Sequence, residues 1–517
     1  MGSRVLGLFR DQLIAAFFGT SPVAGAFILA FQVPNLFRRL LGEGALTTAL
    51  VPVMAAERKI GGDARAFVFL NLVMRRVAPA MVLVTGLLVV LFAWVGANWA
   101  QVAPKLRLPV VPPEGGSDYA LAAKLTAVCM PYMPMICLAA LFTAALNMLG
   151  RFALTALSAV WLNVAMIVAL GGFGLVFATT PQEQVLWLCF GALVGGALQL
   201  AVPAWALWRS GWRPLLREPA CSHGAWAELK VIFMPAVIGA GVQQINLFVT
   251  RFLAFSVDDR ALTVYYLANR VVELPVGVFA VTVSTVIFPA LAAHAAKGDG
   301  KGLASDFAHG MRLIYAINIA ACAGLVALAE PILRLLFQYG RFGAGDTALT
   351  VPVLMIFAAT IPFYGIVGLV GRALSAMRDT RTQMRVAVGN LALNALLAPL
   401  LGWWLKAPGL ALANLLAVAV QAFVLLRALR RRDAHVAAEN LLRPLLQTMG
   451  ASLVMGLFAA GGWRVVEHFL EGTRRGAAVG LAVLIPASCA LYFLLLRAMR
   501  YPEAAEILAV VRRKLRL

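Results

Sequence analysis

The chain has 517 residues, 62% of them hydrophobic and only 13% charged, with a formal net charge of +21. That composition excludes a soluble globular domain and describes a polytopic membrane protein. No stretch alternates with the ten-residue pattern of an outer-membrane barrel strand, and nothing resembles a nucleic-acid-binding module. The expected fold class is therefore an all-α polytopic membrane protein, and the basic loops point to anionic membrane lipid rather than nucleic acid as partner.

Apolar runs of spanning length predict about fourteen transmembrane helices. The first, Ser3–Phe18, carries Arg4, Arg10 and Asp11 and lacks a cleavage motif, so it reads as a span and not as a signal peptide. The second, Ala24–Ala55, contains FQVPNLFRRLLGEGALTTALVP and places Arg38, Arg39 and Glu43 deep in an apolar segment. Arg38 is roughly 30 Å of helix from Arg58, about the hydrocarbon thickness, so snorkelling explains it poorly. Further spans are read at Val77–Ala100, Tyr119–Leu149, Ala153–Ala178, Val185–Trp208, Ala227–Ser256 and Leu262–Ala293. The remaining six are Met311–Leu328, Val351–Met377, Met384–Trp404, Leu410–Leu429, Leu445–Phe469 and Ala477–Leu496.

Lysine and arginine crowd one alternating set of connections: Arg58, Lys59, Arg65, Arg75 and Arg76, then Arg151, then Arg209, Arg213 and Arg217. The set continues with Lys297 and Lys301, then Arg378, Arg381 and Arg385, then Arg427 and Arg430 to Arg432. The positive-inside rule then puts both termini in the cytoplasm, in agreement with the basic tail Arg512, Arg513, Lys514 and Arg516. Thr48–Ala56 (TALVPVMAA) matches Thr285–Ala293 (TVIFPALAA), and Ala145–Phe152 echoes Ala373–Thr380. A repeat of six spans, an even number, predicts two parallel six-helix bundles with a binding site between them. The expected domains are residues 1–210 and 225–432, a two-helix hairpin at 440–500 and a basic cytoplasmic tail at 501–517. The hairpin would pack on lipid or form a hydrophobic groove.

Six cysteines are scattered without a CxxC pair, and five histidines show no ligand spacing, so no metal site and no Cys–His nucleophile is expected. There is no Walker loop. Charged and amide groups inside the spans carry the functional signal, because a charge at that depth is costly and normally faces a wet cavity. Arg4 and Asp11, seven apart, share a helical face, although Arg4 alone could be juxtamembrane. Arg39 and Glu43, at i and i+4, could neutralise each other and leave Arg38 as the free cation. Arg270 has Glu273 at i+3, and a purely structural pair competes with a cavity role. Arg251 and Arg372 are read as snorkelling from helix ends. Asn390 and Asn394 face one way in the eleventh span and could help hold a monovalent cation, but such amides, like Asn163, more often join helices. Converging guanidiniums suit phosphate, since they stay charged and offer a planar fork of donors; phosphate on a lipid is the natural substrate for a site inside a bilayer.

The segments SRVLGLFRD, AFQVPNLFRRLLGEGAL, YYLANRVVELPVGVFAVTVSTVIFPAL and LFQYGRF resemble the MurJ (MviN) lipid II flippases, within the superfamily of multidrug, oligosaccharidyl-lipid and polysaccharide exporters. The resemblance runs the length of the chain. It implies a transporter without covalent catalysis, moving lipid II, the undecaprenyl-pyrophosphate precursor of peptidoglycan, from the cytoplasmic to the periplasmic leaflet of the inner membrane. It maps the substrate-binding arginines onto Arg4, Arg10, Arg38 and Arg270, with Asp11, Arg39, Glu43 and Glu273 as charge partners. Peptidoglycan synthesis proteins are implied partners. Departures are visible: Gly25 stands where members often carry an acid, and Asn269 where Asp often precedes Arg270. Thr250, Asn390 and Asn394 occupy places where some members bind sodium through carboxylates, so no cofactor is expected and cation coupling is doubtful. The short lead before SRVLG reads as a shortened or misannotated start. The cycle expected is alternating access, driven by the membrane potential. The rivals are a polyprenyl-linked sugar flippase for another polymer, which shares the cation logic, a multidrug exporter, which would need a carboxylate-rich cavity, and a non-transporting scaffold, which would not need charges at mid-depth.

Overall fold

The computed structural model describes the whole chain except Met1 and residues 41–45, 106–117, 152–156, 215–222, 278–280, 471–472 and 505–517. Side chains are also left aside at 2–4, 47–48, 223, 236, 238–240, 242–243, 274 and 281–286. Glu43, Cys221, Arg217, the basic tail and the side chains of Arg4, Thr48 and Thr285 therefore lie outside the described residues.

The described residues form helices and connections with no strand. The helices are α1 (Gly2–Phe18), α2 (Pro22–Phe37), α3 (Leu46–Ala97), α4 (Tyr119–Cys129), α5 (Tyr132–Met148), α6 (Ser158–Val168), α7 (Pro181–Arg209) and α8 (His223–Val257). They continue with α9 (Ala261–Pro275), α10 (Val281–Lys297), α11 (Gly300–Ile314), α12 (Ala320–Ala327), α13 (Ala329–Phe337) and α14 (Ala344–Ala358). The last four are α15 (Ile361–Ala376), α16 (Thr380–Arg432), α17 (Leu442–Phe469) and α18 (Arg474–Ala498). Eight helical ranges among the described residues are long and apolar enough to cross a membrane, or nine if α4 and α5, bent by 41°, form one span. Two of the eight contain a break, at Gly61–Gly62 in α3 and at Lys406 in α16, so each joins two helices. The run read as one span over Ala24–Ala55 is described as α2, a π-helical turn at 38–40, and α3 from Leu46.

The helix ends follow local chemistry. Thr180 caps α7 and Glu183 returns to the cap, a reciprocal box with Pro181 at the first helical position. Asp118, Asp299, Asp379 and Thr473 each accept from a backbone amide in the first turn of the next helix.

Contacts divide the chain into two units, Met1–Thr263 and Val264–Leu517. In the first, α7 packs closely on α6, because a Cβ on Gly191 would meet Ala169 at 2.6 Å and one on Gly195 would meet the Leu162 backbone at 2.8 Å. Small residues spaced this way let helix backbones approach in the absence of a hydrophobic drive between spans. Polar contacts join α7 to α5 and α6: Tyr132 donates to Gln199 at 3.1 Å, and Gln199 donates to the Ser158 carbonyl at 2.9 Å. Helix α8 packs on α2 and α3, so contacts place it in the first unit, whereas the sequence repeat assigns residues from 225 onward to the second. The repeat marks where a pattern recurs; the division follows which helix packs on which.

In the second unit, α17 and α18 pack on α12 and α13. Tyr492 donates to the Ala316 carbonyl at 2.7 Å, Arg334 meets Glu467 at 2.9 Å, and Glu503 pairs with Arg312. The hairpin is thus seated on the second unit along one face, while Leu453, Leu457, Val483 and Leu494 on its other face are exposed.

Candidate functional site

Helix α1 presents Arg10 and Asp11 side by side. The Arg10 guanidinium meets Asp11 Oδ1 through Nη2 at 2.7 Å and Nε at 3.1 Å, and Nη1 lies 3.9 Å from the Met166 sulfur on α6. Asp11 is fully buried and the Arg10 side chain is 12% exposed. The side chain of Arg4, which shares a helical face with Asp11, lies outside the described residues.

The next arginines lie where α2 changes character. Helix α2 contains Pro34, which removes a hydrogen-bond donor four residues before Arg38, and Arg38–Leu40 form a π-helical turn. Wide turns of this kind are rare and frequent at functional sites. Arg38 and Arg39 are both half-buried on it. Arg38 Nε donates to Asn35 Oδ1 at 2.7 Å, one turn back. This contact is with a neutral carboxamide and so leaves the charge of the guanidinium in place. The Arg39–Glu43 pair falls partly outside the described residues.

One turn further back on α2, Gln32 is buried and accepts from Arg251 Nη1 of α8. The snorkelling expectation for Arg251 is corrected, since the residue is 7% exposed and points into the α2–α8 contact. On the same contact, a Cβ at Gly25 would sit 3.5 Å from both the Asp259 carbonyl oxygen and the Phe255 ring. Those distances are ordinary van der Waals contact, so Gly25 lies against this packing without a clash at its Cβ position. In the connection beyond α8, Asp259 is buried, and that burial together with the neighbouring Asp258 pushes its carboxyl up to about 6.

The second unit contributes Arg270 on α9. Its Nη1 donates to Glu273 Oε2 at 2.9 Å, and Asn269 donates to the other oxygen of Glu273 at 3.1 Å. Arg270 is 26% exposed and Glu273 47%. Asn269, which replaces a common acid, thus supports the carboxylate instead of adding a second one. On α16, Asn394 is buried and Asn390 half-buried one turn apart, while Thr250 is buried on α8 of the first unit. No group of three or more His, Cys, Asp or Glu suited to a metal occurs among the described residues. Arg372 lies 6.0 Å from the centre of the Phe288 ring.

Apolar helices long enough to cross a membrane, with the partly buried guanidiniums of Arg10, Arg38 and Arg270 on them contacting carboxylate or carboxamide oxygens, describe a multi-pass membrane protein. The family described as "Lipid II flippase MurJ" matches residues 14–474. A probable lipid II flippase MurJ of Rhizobium tropici is 32% identical over 456 residues, 88% of this chain and 84% of that protein. The lipid II flippase MurJ of Burkholderia cenocepacia is 28% identical, with 97% of this chain and 96% of the relative covered. Among solved structures, a lipid II flippase MurJ in an inward closed conformation superposes with a TM-score of 0.73 at 24% identity, over 96% of this chain and 98% of that one. An inward-facing multidrug resistance MATE transporter of the MOP superfamily shares the fold at a TM-score of 0.67 and 14% identity, over 84% and 95% of the two chains. The chain belongs to the MurJ lipid II flippase family. It is a multi-pass bacterial membrane protein and a flippase, not an enzyme.

Proposed function

We propose that this protein moves lipid II across the cytoplasmic membrane by alternating access, with fourteen spans arranged as two six-helix repeats and a terminal hairpin, and with both termini in the cytoplasm. Arg10 and Arg38 of the first unit engage the pyrophosphate, Arg4 assists at the cytoplasmic mouth, and Arg270 is the second unit's candidate for the same role. The observation that supports this reading is the state of those guanidiniums. Those of Arg10, Arg38 and Arg270 sit within or at the ends of apolar helices, are partly buried, and contact Asp11, Asn35 and Glu273. A planar fork so held suits the paired oxygens of a pyrophosphate. Asp11, Glu43 and Glu273 limit self-repulsion when no substrate is bound, and Arg39 pairs with Glu43. Asn390 and Asn394 join helices, and the cycle runs without a cation bound at Thr250, Asn390 and Asn394.

The membrane potential can supply the drive. One elementary charge crossing 100 mV is worth about 2.3 kcal/mol, so a dianionic headgroup leaving an inside-negative cell gains roughly twice that at most. Return of a net-positive empty site toward the inside is favoured by the same field. The test is complementation: the full-length protein should restore growth to a strain depleted of its own lipid II flippase. Normal insertion without rescue would point to a different polyprenyl-linked substrate.

A further inference from the structure

We propose that the C-terminal end of α7 carries a binding site for the phosphate of an anionic phospholipid, separate from the arginines assigned to the transported substrate. A cavity of about 360 Å³ is lined there by Trp205, Trp208, Arg209, Gly211 and Arg213. Arg209 stacks over Trp205 at 4.1 Å from the ring centre, and Arg213 over Trp208 at 5.5 Å. Both indoles and both guanidiniums are exposed, at the end of a helix long and apolar enough to cross a membrane.

The floor of the cavity is fixed. Gly211 has φ of +99, a conformation other residues adopt only with strain, and it turns the chain so that Trp212 is buried directly behind the site. Trp212 Nε1 donates to Asn71 Oδ1 at 3.2 Å, and Asn71 donates to the Arg213 carbonyl at 2.9 Å, which ties this turn to α3. Arg213 Nη1 donates to the carbonyls of Trp208 and Trp212 at 2.7 and 2.9 Å and so closes the end of α7. A third pair of the same kind stands near: Arg76, a little over one turn beyond Asn71 on α3, stacks over Trp226 at 4.6 Å.

Indoles concentrate at the headgroup level of a bilayer, and arginines there meet lipid phosphate. Here each guanidinium lies over an indole ring; Arg213 spends Nη1 on the backbone carbonyls of Trp208 and Trp212, and the remaining guanidinium N–H groups of the pair are the donors offered to a phosphate. A lipid satisfies both halves of the cavity, whereas a soluble phosphate satisfies only the cationic half. The leaflet facing this site is the cytoplasmic one if the proposed orientation holds; the binding itself does not depend on that orientation.

Native mass spectrometry of the full chain in detergent, titrated with phosphatidylglycerol, tests the proposal. Wild type should retain one tightly held phosphatidylglycerol, and R209Q should weaken it about fivefold. R209Q with R213Q should weaken it by tenfold or more. Because Arg213 also closes α7, melting temperatures accompany each variant, and R209Q with W205A carries the test if R213Q is unstable. Phosphatidylcholine should bind at least tenfold more weakly. Equal affinity of wild type and variants, or of the two lipids, would overturn the proposal. Displacement of phosphatidylglycerol by millimolar inorganic phosphate would overturn the assignment to lipid.

Discussion

At the scale of single residues, the Arg38–Asn35 contact separates the charge of a guanidinium from its shape. Lysine at 38 keeps the charge and loses the fork, so Arg38→Lys should insert normally yet lower flipping by roughly ten- to a hundredfold, the size of one or two charge-assisted hydrogen bonds. Outer-leaflet lipid II in cells measures this, and near-wild-type growth with both R38K and R38A would remove Arg38 from the site. Arg270 and Glu273 call for a different comparison, because their observed pair is compatible with a structural role and with a binding role. If the pair only stabilises α9, R270A with E273A should recover most of the function lost in R270A, since neither charge is then left alone. The assignment of Arg270 to substrate predicts that the double variant is folded and inactive. Asp259 gives a pH signature. Its folded-state pKa of about 6 lies above the ordinary carboxylate value, so the unfolded chain releases that proton first. Stability therefore falls as pH rises from about 4 through 6 and stays lower above that range. Asp259→Asn should raise the melting temperature at pH 8 and leave it little changed at pH 4.

At the scale of elements, the α6–α7 contact depends on the absence of side chains at Gly191 and Gly195. Leucine at 195 would drive carbon atoms into the Leu162 backbone and should cost about 1–3 kcal/mol, read as a lower melting temperature in detergent. Gly86 on α3 has nothing within 4 Å of where a Cβ would stand, so G86A should be neutral or stabilising in the same assay. This scale also shows what a linear chain reveals. Apolar runs at spanning length marked α7, α17 and α18 well. The Arg251–Gln32 bond was not legible, because the two residues are 219 positions apart and each looks ordinary in its own helix. The break at Lys406 was read as a short connection between two spans, but its φ of +54 in a residue other than glycine is a tertiary outcome that propensity does not predict. Helix α13 escaped notice because nine residues are too few for a span, and its partners, Glu467 and Trp463 on α17, lie far along the chain.

At the scale of the whole molecule, the account is that a chain with an excess of arginine in its spans carries a lipid-linked pyrophosphate outward with the electric field. Collapsing the potential with a potassium ionophore, at fixed sodium and pH gradients, should stop transport; dependence on sodium alone would instead favour a cation site at Asn390 and Asn394. The most direct measurement labels lipid II in the outer leaflet of intact spheroplasts with a membrane-impermeant reagent, in cells whose only flippase is this protein. Wild type should bring lipid II within reach of the reagent, and R10A and R38A, present in the membrane at equal amounts, should leave it on the inner side. Equal labelling with wild type and both arginine variants would contradict the claim that these guanidiniums carry the pyrophosphate.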